Sequence, residues 1–122
     1  MFSDYIKTMY PEDSKNNYPQ QLCTYLSNRY LSHFKNKKVN FLDLGCGRGT
    51  QINEFMQIFD GDFYGIDLCR SKIDNVNVGS CNLEKEKLHY EDNFFDIVFS
   101  KSVIEHVNNT ENFIREVHRV LK

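Results

Sequence analysis

Apolar positions along this 122-residue chain recur at helical spacing, then at strand spacing, then at helical spacing again, and the switches predict its elements. Leu22, Leu26, Tyr30 and Phe34 return every fourth residue, which predicts an amphipathic helix over 18–34. Pro19 suits its first turn, where a missing N–H costs nothing. The stretch before it reads as loop or short helix. "KVNFLDLG" is an apolar run of strand length. Beyond it Ile52, Phe55, Met56 and Phe59 share one helical face, with Gly61 as the expected stop. "DFYGIDL" reads as a second strand, and "VNVGSCNL" alternates as a third. "EKEKLHYEDN" is polar and reads as a surface segment, and "FFDIVFS", Phe94 to Ser100, as a fourth, buried strand. Asn109 or Thr110 is placed to cap a last helix, "ENFIREVHRVLK", with Phe113, Ile114, Val117, Val120 and Leu121 apolar and Glu116 and Arg119 on its solvated face.

A helix followed by strands alternating with helices or crossover segments implies an α/β fold with a parallel sheet. In such sheets ligands bind at the carboxyl ends of the strands. The connection from Asp67 to Gly79 leaves room for only a turn or two of helix.

Composition narrows the classes. Hydrophobic residues make up 40% and charged residues 26%, and the net charge is −2, which fits one soluble domain and gives no electrostatic case for nucleic acid or an anionic membrane. Lys35, Lys37 and Lys38 read as a solvated loop. No apolar run reaches membrane-spanning length, and "MFSDYIKTMYPEDSK" has no signal-peptide core, so a cytoplasmic location is expected. Cys23, Cys46, Cys69 and Cys81 form no C-x-x-C pair and read as small apolar residues rather than a disulfide or zinc framework.

The candidate chemistry sits in "FLDLGCGRGT". Three glycines, Gly45, Gly47 and Gly49, imply a backbone that turns sharply and is closely approached. A dinucleotide loop has G-x-G-x-x-G, with pyrophosphate on the helix N-terminus. Here the third glycine comes one position early, and Thr50 stands at the last glycine of that motif. Asp67 lies roughly 20 residues past the first glycine, where an acid can accept hydrogen bonds from both ribose hydroxyls. The pattern points to a ribose-bearing cofactor that need not carry a pyrophosphate.

"LDLGCGRGT", "YGIDL", "CNLE", "FFDIVFSKSVIEHV" and "FIREVHRVLK" together resemble a class I S-adenosylmethionine-dependent methyltransferase of the type 11 group, over about residues 38–122. The resemblance implies a partial Rossmann-like three-layer sandwich of about four parallel strands in the order 3-2-1-4, flanked by helices. It implies an N-terminal helical cap over 1–37 and the N-terminal half of a cofactor-binding core over 38–122. By that resemblance Gly45, Cys46 and Gly47 lie against the methionine portion of the cofactor, and Asp43 positions its ammonium. Asp67 holds the ribose diol, Leu68 packs on adenine, Asn82 accepts from the adenine amino group, and the Leu83 backbone meets another adenine edge. Ser100 faces the methionine end. Arg29 either reaches the cofactor carboxylate or is a surface arginine.

The implied activity is methyl transfer to an oxygen or nitrogen of a small molecule or a glycan or lipid precursor. His106, just after the fourth strand, is the candidate base, set against a structural reading in which Glu105 pairs nearby. Ser102 stands where some ubiquinone-pathway relatives have a metal-binding carboxylate, so no metal is expected. Two other readings stand beside this one: a cofactor-binding or assembly module without catalysis, and a nicotinamide-dependent oxidoreductase, which the early third glycine argues against. The family's sheet has seven strands and four are placed here, so an incomplete domain is expected. An uncovered outer edge at Phe95 to Ser100 would favour self-association, and Phe113, Val117 and Val120 would lose part of their cover.

Overall fold

The computed structural model describes residues 18–68 and 71–122; the loop or short helix read before Tyr18, and Cys69, lie outside them. Helix α1 (Tyr18–Tyr30) leads through a 3₁₀ turn (Ser32–Phe34) to strand β1 (Lys38–Leu44). Helix α2 (Thr50–Ile58), strands β2 (Asp60–Ile66), β3 (Val76–Gly79) and β4 (Ile97–Ser100), a second 3₁₀ turn (Ile104–His106) and helix α3 (Thr110–Val120) follow. The four strands form one parallel sheet in the order β3-β2-β1-β4, as the resemblance implied.

Alternation along β1 divides the core. Val39 and Phe41 point to the face covered by α2 and the first helix, among Cys23, Ile52, Phe55, Phe59, Phe63 and Ile97. Leu42 and Leu44 point to the other face, among Ile66, Leu88, Phe95, Phe113 and Val120. Aromatic rings fill both layers. Phe41 lies 4.8 Å from Phe55 and 5.5 Å from Phe63 between centroids, and Tyr64, Tyr90, Phe94 and Phe95 meet edge to face.

The structure corrects several sequence expectations. The first helix stops at Tyr30 rather than running on to Phe34. Gly61 does not stop the second helix: α2 ends at Ile58 with Phe59 extended, and Gly61 is already in β2. Its φ is 144°, and a Cβ there would lie 1.9 Å from the Val39 carbonyl oxygen, so glycine is needed for strand pairing rather than for helix termination. The polar-looking 84–93 segment is not all surface, because Leu88 is 3% exposed and seals the second core.

On the last helix Asn109 is the cap, its side chain accepting from the Asn112 N–H. Ile114, read as core, is 55% exposed, and Leu121 is extended beyond the helix. Glu116, read as solvated, is buried. Phe113 and Val120 are covered, because the 81–95 segment folds under them. Phe95, read as strand, precedes β4 and forms an isolated bridge with Leu121 on the outer side of the sheet.

Register places the site. Gly79 lies opposite Ile66, Ile66 opposite Leu44, and Leu44 opposite Ser100, so all four strands end on one line. No helix of the described residues is long and apolar enough to cross a membrane.

Candidate functional site

The glycine loop leaves the sheet on that line. The N–H groups of Gly45 and Cys46 both donate to the Ile66 carbonyl (2.7 and 3.1 Å), which ties the end of β1 to the end of β2. Gly45 has φ 82°, and a Cβ on it would lie 2.2 Å from Cγ2 of Val103. This position admits no side chain because the segment after β4 leans onto it. Gly47 has open space on its Cβ side, and its N–H donates to Oδ2 of Asp67 (2.8 Å). The loop therefore presents bare backbone beside the carboxylate that ends β2.

Next to it is a cleft of about 210 Å³. One wall is formed by Ile66, Asp67, Leu68, Asn82, Leu83 and Glu84, the floor by Gly45, and the facing wall by Ser102, Val103, His106 and Val107. Leu68 is 71% exposed and forms a lip of the cleft. Oδ1 of Asn82 accepts from the Glu84 N–H (3.0 Å), closing the turn that shapes the first wall. His106 stands at the mouth with its imidazole exposed, Nε2 lying 3.6 Å from Oε1 of Glu105.

Asp43 lies under the loop. It is 2% exposed, and its Oδ2 has no hydrogen-bond partner among the described residues. Burial, and then the charge of Asp67, raise its carboxyl to about 7. A buried carboxyl with one oxygen unpartnered, beside a second acid, is a place for a cation.

Of the predicted site residues, the structure brings Gly45, Asp67, Leu68, Asn82, Leu83 and His106 to one cleft. Gly47 joins them through Asp67, and Asp43 sits beneath. The other three lie elsewhere. The Cys46 side chain turns into the first core against Gly65, and burial raises its thiol to about 11. Ser100 ends β4 without lining the cleft, and Arg29 is exposed on the last turn of α1.

Sequence reasoning missed Val103 and Val107, which pack on the second core and form the apolar half of the facing wall. Their only signal is the run "SVIEHV", in which the valines flank the histidine. Ser102, noted in the sequence only for the metal it argued against, lines the same cleft with a φ of 60°, in the left-handed region. Among the described residues no group of three or more His, Cys, Asp or Glu side chains is arranged to hold a metal ion.

The chain is similar to known proteins over this same region. The family model described as a methyltransferase domain matches residues 42–122. A ubiquinone biosynthesis O-methyltransferase from Pelagibacter ubique is 29% identical over 97 residues, covering 70% of this chain and 39% of that protein. The human mitochondrial arginine-hydroxylase NDUFAF5 is 29% identical over 86 residues, covering 66% of this chain and 25% of that protein. The chain thus spans well under half the length of either relative. Among solved structures, the phosphoethanolamine N-methyltransferase 2 of Haemonchus contortus, in complex with S-adenosyl-L-methionine, superposes with a TM-score of 0.59 at 21% identity. That match covers 100% of this chain and 33% of the other. With its sheet order, its glycine loop and a family match over two-thirds of its length, the chain belongs to the methyltransferase domain family.

Proposed function

We propose that the cleft binds S-adenosylmethionine and that the protein of which this domain is part transfers its methyl group to an oxygen or nitrogen of a small molecule or a glycan or lipid precursor. One observation carries the reading: a buried Asp43 carboxyl, whose Oδ2 has no hydrogen-bond partner among the described residues, lies beneath a bare glycine loop that is hydrogen-bonded to Asp67. This arrangement fits the groups of that cofactor. Asp43 suits its ammonium, Asp67 the ribose hydroxyls, the Leu68 lip a face of adenine, and Asn82 and Leu83 its polar edge. Gly45 and Gly47 allow the amino-acid end to approach backbone. Cys46 and Ser100 enter this reading through their backbone alone.

When bound, this cofactor supplies a methyl group already activated on a sulfonium, so the protein needs chiefly to align an acceptor and exclude water. Val103 and Val107 keep the facing wall dry. His106, at the mouth of the cleft, is placed to take a proton from an acceptor. The helix of the 1–37 segment packs on α2 and would act as part of a cap.

Calorimetry tests the cofactor: S-adenosylmethionine and S-adenosylhomocysteine should bind and NADH should not. Silence with both sulfur compounds would overturn the reading. The arginine-hydroxylase relative, as similar as the O-methyltransferase, favours a second reading in which the same fold serves hydroxylation. Transfer of isotope from a methyl-labelled cofactor to an acceptor separates the two. Binding without transfer would support the module without catalysis.

A further inference from the structure

The two walls of the cleft come from segments far apart in the chain, and one carboxylate joins them. Oε1 of Glu84 accepts from the Asn108 N–H (2.6 Å) and Oε2 from the Asn109 N–H (3.2 Å). Asn112 strengthens the joint: its Nδ2 donates to the carbonyls of Leu83 (3.1 Å) and Glu86 (3.4 Å). These bonds are more than a helix cap. Asn109 already caps α3 with its own side chain, and the N–H groups that Glu84 holds precede the first helical residue, Thr110. They belong to the end of the loop that carries Val103, His106 and Val107.

We propose that Glu84 is a positioning residue, whose carboxylate holds the His106-bearing loop at a fixed separation from the Asn82–Leu83 wall, so that filling the cleft and ordering the loop are coupled. The inference rests on the cofactor reading above. A carboxylate accepting from two backbone N–H groups makes charge-assisted bonds, stronger than those of a neutral acceptor. A ligand gripped by both walls should therefore meet a preformed cleft, and without Glu84 it would first have to order the loop.

The test uses the whole chain, with S-adenosylhomocysteine as the probe, and the variants Glu84→Ala and Glu84→Gln. Without ligand, amide hydrogen exchange at Asn108 and Asn109 should speed up in Glu84→Ala and to a smaller extent in Glu84→Gln, which keeps one acceptor oxygen, while the amides of β1 stay as protected as before. Probe affinity should fall by about tenfold in Glu84→Ala and by about threefold in Glu84→Gln. In the wild type, whose loop is already held, the probe should slow exchange at Asn108 and Asn109 only a little; in Glu84→Ala saturating probe should slow it more, because binding must then order the loop. A contact that only stabilised the fold would lower the melting temperature and leave the affinity of the folded protein unchanged. Wild-type affinity in both variants would therefore overturn the proposal, whatever happens to exchange. If Glu84→Ala does not fold, the same two readouts on Glu84→Gln decide. A wild type that binds no probe at all would instead bring down the cofactor reading itself.

Discussion

Asp43 gives the ligand-free protein an unusual pH response. In the unfolded chain its carboxyl ionises in the ordinary range near 3.8, whereas in the fold burial holds the proton to about 7. Between those values the native state binds a proton that the unfolded state has lost, so stability falls as pH rises. The contribution is fully present below about pH 4 and is lost as pH climbs through 7. Asp43→Asn should flatten this decline in denaturant titrations from pH 5 to 8 and raise stability at pH 8. The same substitution should weaken S-adenosylmethionine, because a cation would lose its carboxylate. Unchanged pH dependence in the variant would remove Asp43 as its source. Asp67→Ala should weaken the cofactor by about 1.5–3 kcal/mol, the worth of hydrogen bonds to a charged group, and calorimetry on both proteins checks it. Asp67 was legible through its spacing from the glycines, and Asp43 only through the family resemblance. Why Gly45 must be glycine was not legible, since the atom that excludes a side chain, Cγ2 of Val103, comes from 58 positions further along the chain.

At the scale of elements, α3 holds the back of the site in place. Arg119 donates to both oxygens of Glu116, to Asp92, and to the carbonyls of Leu88 and Tyr90, while Glu116 also accepts from the Leu88 N–H. The hydrogen bonds from Arg119 hold the Glu116 carboxyl below its usual range. Its stabilisation is therefore present above the unfolded value and is lost as pH falls through the lowered native one. Arg119→Ala leaves a buried carboxylate without its partner and should cost about 3 kcal/mol, read from denaturant midpoints at pH 7. A loss under about 0.5 kcal/mol would place the pair among surface contacts. Helical periodicity assigned both residues to the solvated face, because it records the helix alone and not the irregular 84–93 segment that packs over it. For the same reason Leu88, one apolar residue in a polar run, was not legible as core. The periods of β1 and α2 were legible, since each buries a face set by its own geometry.

At the scale of the molecule, His106 projects from the loop after β4 towards solvent at the cleft mouth. His106→Ala should lower turnover with the true acceptor more than it lowers cofactor affinity; equal rates would remove it as a base. S-adenosylhomocysteine at 100 times its dissociation constant should stabilise the chain by about 2.7 kcal/mol, visible as a rise in melting temperature. An unmoved melting curve would contradict binding to the native state.

The sequence by itself determined the succession of elements, the parallel class of the sheet and the glycine loop at which the proposed cofactor would be met. Those follow from local rules: side-chain period, and glycine where backbone must be bare. The resemblance supplied the strand order. Only the tertiary structure decided which positions share the cleft. It turned Cys46 into the core, brought Val103 onto Gly45, buried Glu116 against the Leu88 N–H, and let Glu84 reach across to Asn108. Each of these joins segments separated by many residues, and a period along the chain carries no record of what will be packed against it.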